Sequence, residues 1–123
     1  MSKSINCSAY EWNRCWECLS DPRLRRIADH YGLKKQALKT VEESGEMLTE
    51  LGRLVLMLEN GTADLDAYQD QANKLIEEIT DTRILLLQLT YLLDKQDLAA
   101  GFYTRKVNRQ LQRIEQEQQE ETK

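Results

Sequence analysis

The stretch VEESGEMLTELGRLVLMLENGTAD, residues 41–64, begins with crowded glutamates, continues into leucines at helical spacing and breaks at an asparagine–glycine pair. Together with Leu38 and Val41, the residues Met47, Leu48, Leu51, Leu54, Val55 and Leu58 recur every three or four positions on a broad arc, which predicts a helix from about Lys34 to Glu59. Asn60 and Gly61 end it, because both residue types accept the left-handed backbone that closes a helix C-terminus. Thr62 or Asp64 then offers a side-chain oxygen to cap a second long helix reaching about Asp94, with Leu65, Tyr68, Ala72, Leu75, Ile79, Leu86 and Leu93 along it. Two long helices joined by so short a turn fold back on each other, and this hairpin decides the fold class. The chain is expected to be all-α, an antiparallel bundle of about four helices.

The flanks agree with that expectation. Trp12, Cys15, Trp16 and Leu19 recur at three and four residues and predict helix from about Ala9 to Leu19. Ser20, Asp21 and Pro22 supply a cap followed by proline at a first-turn position, so a further helix runs to about His30 and stops at Tyr31 and Gly32. After the polar turn DKQD, Asp94 to Asp97, a last helix carries Phe102, Val107, Leu111 and Ile114 and fades into QEQQEETK, a tail expected to fray from about residue 115. With no internal repeat and no linker, the 123 residues suit one domain, 1–123, with a modest core.

Composition narrows the partners. A chain that is 41% hydrophobic and 31% charged, with one proline and five glycines, favours long helices over a sheet with many turns. A net charge of −4 and a pI of about 5.1 create no field that draws in a nucleic-acid backbone or an anionic membrane, so neither is expected as a partner. The longest apolar run, ILLLQLTYLL from Ile84 to Leu93, is interrupted by Gln88 and too short to span a bilayer, and MSKSINCSAYEW lacks an apolar signal region; a cytoplasmic location is the default. Cys7, Cys15 and Cys18 cannot all pair within one chain and are expected as thiols. Cys15 and Cys18 form a CxxC that Cys7 and His30 could extend toward zinc, but a second tight ligand pair is missing.

The acids carry the chemistry. Glu43 and Glu46 are three apart and share a helix face, as do Glu78 and Asp81 in EITD. Each pair lies roughly 17 residues from the Asn60 to Thr62 turn, or about 25 Å along its helix, so the hairpin brings both to one level. Stepping back by sevens from Leu92 to Leu85 to Glu78 keeps one side of the helix, and Asp81 precedes Leu85 by one turn, so these acids occupy an otherwise apolar stripe. Glu43 stands near the row of Met47, Leu54 and Leu58, while Glu46 and Glu50 drift toward the polar side. A carboxylate in such a stripe is costly unless neutralised or bound, and a hard divalent cation, Mg²⁺ above all, answers four converging ones. The plainer alternative pairs Glu78 with Lys74 and leaves Glu43 and Glu46 in water. On the last helix Lys106, Arg109 and Arg113 make a basic row that suits either a polyphosphate or a solvated face. Trp12, Trp16 and Tyr31 are candidates for stacking on a base, although a tryptophan at helical spacing more often serves the core.

These residues resemble the MazG-like family of all-α nucleoside triphosphate pyrophosphohydrolases, in particular its phage-encoded members. The family's EExxE followed by ExxD is matched by Glu42, Glu43 and Glu46 and then by Glu78 and Asp81. HYGLKKQALKTVEESGEM, His30 to Met47, resembles the segment leading into the motif, and FYTRKVNRQLQRI, Phe102 to Ile114, resembles the basic last helix. The resemblance implies an enzyme that cleaves a ribo- or deoxynucleoside triphosphate between the α- and β-phosphates, giving the monophosphate and pyrophosphate. It implies Mg²⁺, with Mn²⁺ as a substitute, held by Glu43, Glu46, Glu78 and Asp81, water activated by Glu43 or Glu46, and outer phosphates met by Lys106 and Arg109. It also implies a homodimer or homotetramer. The rival is a non-catalytic helical module that binds nucleotide or another protein, against which stand four intact motif acids. Base and sugar preference are not legible, and nucleotide housecleaning, a phage nucleotide pool and a signalling nucleotide would all leave the same motifs.

Overall fold

A computed structural model of the chain describes residues 21–61 and 64–122. The helix expected over Ala9 to Leu19, the three cysteines, Trp12, Trp16 and Thr62 lie outside the described residues. Within them the protein is all-α: α1 is Pro22–Tyr31, α2 Leu33–Asn60, α3 Leu65–Leu92 and α4 Gln96–Glu121.

Local chemistry explains each boundary. The Asp21 carboxylate caps α1 by accepting from the Arg23 amide at 3.0 Å and also holds the Arg23 guanidinium, which lowers its pKa; Pro22 occupies the first helical position. Gly32, at φ 86, closes α1 through its N–H to the Ala28 carbonyl and opens α2 at once. Gly61 takes the left-handed conformation at φ 65 that ends α2, and the Asp64 side chain, rather than any other candidate in the described residues, caps α3 through the Ala67 N–H at 3.1 Å. Asp94 turns the chain at φ 55, a conformation that aspartate tolerates better than most residues.

The α2–α3 hairpin makes most of the packing, with α1 laid mainly on α3. Three cross-helix hydrogen bonds set its antiparallel register. Gln36 Nε2 donates to Gln88 Oε1 at 2.6 Å, the Thr82 hydroxyl donates to the Glu43 carbonyl at 3.4 Å, and Gln71 Nε2 donates to the Glu50 carbonyl at 2.9 Å. The facing residues step alternately by four and three: Gln36, Thr40, Glu43, Met47, Glu50, Leu54 and Met57 on α2, and Gln71, Leu75, Glu78, Thr82, Leu85 and Leu89 on α3. That is the seam spacing of two helices wound together.

The seam is unusually polar. Ala28, Leu75 and Leu85 are the buried apolar residues among those described, whereas Gln36, Thr40, Glu43, Gln71, Thr82 and Gln88 are buried too. The arc expected as core lies elsewhere: Leu38, Val41, Leu48, Leu51, Val55 and Leu58 on α2, Leu65, Ile79 and Leu86 on α3 and Leu93 at its C-cap are exposed. Two helices bury only a narrow stripe of each other, and a wider apolar arc needs a further neighbour. Helix α4 shows the same feature more strongly. From Ala100 to Thr122 every residue is exposed, including Phe102, Val107, Leu111 and Ile114. It also stays helical to Glu121, past residue 115, because Gln and Glu are good helix formers even without packing. No helix among the described residues is long and apolar enough to cross a membrane.

Candidate metal centre

Glu43 and Glu46 on α2 meet Glu78 on α3, each offering a carboxylate oxygen within 4.8 Å of the others. The hairpin register brings them there, since the Thr82 hydroxyl on the Glu43 carbonyl puts Glu78, one turn earlier, beside the Glu43–Glu46 face. Glu43 is buried, Glu78 half-buried and Glu46 exposed. Glu43 Oε1 receives the Lys39 ammonium at 3.2 Å, but Glu43 Oε2 and Glu78 Oε2 are buried without any hydrogen-bond partner. A buried carboxylate oxygen left unpaired is expensive, and two of them lie within an acidic cluster that could hold a metal ion.

The electrostatics agree. Repulsion from Glu43 raises the Glu46 pKa above the ordinary carboxylate value, and hydrogen bonding to Glu43 and partial desolvation add to it. Glu78 is raised first by desolvation and then by Glu46, Glu43 and Asp81. Oxygen donors of this kind, gathered from two helices, fit Mg²⁺ or Mn²⁺ in hardness and charge.

Beside the cluster opens a cleft of about 590 Å³. Its lining includes the acids Glu43 and Asp81 and the aromatic and apolar side chains of Tyr31, Ile84 and Leu85. Asp81 is exposed and stands outside the group of three converging glutamates, so it joins the site through the cleft. Glu50 is occupied elsewhere, pairing with Arg53 and accepting from Gln71 Nε2 at 2.8 Å, and Glu42 lies 3.6 Å from Lys39. Of the stacking candidates in the described residues, Tyr31 lines the cleft, with the Lys35 ammonium 5.1 Å from its ring centre.

Lys106 and Arg109 stand apart from this group. Both are exposed on α4, whose residues do not line the cleft, so within one chain they are not brought to the acids. The cations that do line it are Lys35 and Lys39, which sequence reasoning passed over. Their signal was present: they precede Glu43 by eight and four residues, on the same helix face. No protein-family model, curated protein or solved structure matches this chain.

Proposed function

We propose that the chain is a Mg²⁺-dependent nucleoside triphosphate pyrophosphohydrolase, cleaving between the α- and β-phosphates. One observation carries this: three glutamates converge, two of their buried oxygens lack partners, and they adjoin a cleft that presents both ammonium groups and an aromatic wall. Glu43, Glu46 and Glu78, with Asp81 at the cleft, would hold the ion. An ion held there would supply positive charge to offset that on the phosphate oxygens and on the leaving pyrophosphate. Glu46, the exposed member, is the carboxylate that water reaches, which suits it to orient or activate the attacking water. Tyr31, Ile84 and Leu85 offer the base a surface to lie on. Lys106 and Arg109 reach the phosphates only if a second copy carries α4 across the cleft. A cytoplasmic enzyme would meet its substrate directly.

The experiment is incubation with Mg²⁺ and a panel of ribo- and deoxynucleoside triphosphates while pyrophosphate and monophosphate are followed. Wild type is expected to release pyrophosphate, and Glu78→Gln to lose at least about a hundredfold in kcat while remaining helical. Orthophosphate as product would refute the cleavage position. A second reading, a protein-interaction module, is favoured by the exposed apolar row of α4; turnover of no triphosphate would leave that reading standing.

A further inference from the structure

Lys39 sits four residues before Glu43, and its ammonium lies 3.2 Å from Glu43 Oε1 and 3.6 Å from Glu42 Oε1. Its side chain is half-exposed, and an ion pair of this kind on one helix contributes little to the fold. The same side chain lines the cleft, with Lys35 one turn earlier on its own helix and Asp81 on the facing one. Glu43 thus pairs with Lys39 through Oε1, leaves Oε2 buried and unpartnered, and also offers a carboxylate oxygen to the acidic cluster. A divalent ion held by Glu43, Glu46 and Glu78 competes with the ammonium for this carboxylate, carries twice its charge and lacks a side-chain entropy cost.

The displaced ammonium stays beside Glu42 and opens onto the cleft that its own side chain lines. Its four-carbon stem pivots from α2 at the cleft, about 6 Å along the axis from Glu43, whereas Lys35 is about 12 Å away and rests over the Tyr31 ring. We propose that Lys39 is the phosphate-binding cation of this site, paired with Glu43 when metal is absent and released by metal binding to hold a phosphate oxygen in the cleft. The assignment rests on the polyphosphate reading of the cleft. It replaces Lys106 and Arg109 with a residue of the same chain and couples phosphate capture to the presence of the ion.

The test compares wild type, Lys39→Met and, as control, Lys34→Met, which alters an exposed lysine off the cleft lining. Calorimetry measures Mn²⁺ affinity without any phosphate ligand, then inorganic pyrophosphate affinity with Mn²⁺ present. Lys39→Met is expected to bind Mn²⁺ about two- to fivefold more tightly, since the internal competitor is gone. It is expected to bind pyrophosphate at least about tenfold more weakly, with a matching rise in KM. These shifts have opposite signs, which a merely supporting role for Lys39 would not produce.

Affinities for both ligands that match wild type, or that weaken together, overturn the assignment, as does a wild type that binds no Mn²⁺. The enzymatic reading fails separately. A wild type that cleaves no triphosphate yet shows the opposed shifts keeps Lys39 and loses the hydrolase. One that releases pyrophosphate while Lys39→Met is unshifted keeps the hydrolase and loses Lys39.

Discussion

Gln88 is 2% exposed, the largest fully buried side chain among the described residues, and it is an amide. In the sequence it interrupts an apolar run; in the fold it accepts from Gln36 Nε2 at 2.6 Å and ties α3 to α2. Truncating one partner strands the other in a dry seam. Gln88→Leu is expected to lower stability by about 1–3 kcal/mol in urea denaturation, and Gln36→Leu with Gln88→Leu to recover most of that loss. A double variant no more stable than the single one would show that the pair does not act as a unit. No sequence signal revealed this contact, because the partner lies 52 residues away and glutamines are ordinary on helix surfaces. Gly45, which interrupts the glutamates, has nothing within 4 Å of where a Cβ would stand among the described residues, so none of them requires a glycine there by close approach.

At the level of elements, α2 and α3 press like charges together. Folding raises the pKa values of Glu46 and Glu78 above the ordinary 4.5, so the native state binds these protons more strongly than the unfolded chain does. A raised carboxyl contributes stability that is complete below its unfolded pKa and lost as pH rises through its folded value. In the presence of a chelator, the melting temperature is therefore expected to fall as pH rises from the ordinary carboxylate range toward neutrality. Mg²⁺ or Mn²⁺ binds the deprotonated forms, so the ion should raise the melting temperature more at about pH 7.5 than at about pH 5. Thermal melts at both pH values check this, and an ion-induced shift that is equal at the two would separate the cluster from metal binding.

At the scale of the whole molecule, much apolar surface is exposed among the described residues. The outer arcs of α2 and α3 and the Phe102, Val107, Leu111 and Ile114 row of α4 are exposed, whereas buried apolar residues are few. Isolated helices with such a row gain stability by packing it against another helix. A second copy is the partner that is always present, and a symmetric dimer is the commonest way to close such faces. Light scattering at micromolar concentration is expected to give a dimer or larger species, and Val107→Glu with Leu111→Glu to shift it toward monomer. A wild type that runs as a monomer would count against self-association.

The sequence by itself determined the four described helices and their ends apart from that of α4, because apolar spacing, Pro22, Gly32, Gly61 and Asp64 act locally, within a turn or two of backbone. It also placed Glu43 and Glu46 level with Glu78, since helical rise and a short turn leave a hairpin little freedom of register. Only the tertiary structure decided which face is inside. The leucine arc turned outward and a polar row turned inward, because burial depends on what a neighbour covers rather than on how apolar a residue is. The same arrangement left Lys106 and Arg109 away from the acids and put Lys35 and Lys39 beside them. The acidic stretch that opens α2 is thus one half of a site whose other half comes from α3, with its nearest cation one turn upstream on the same helix.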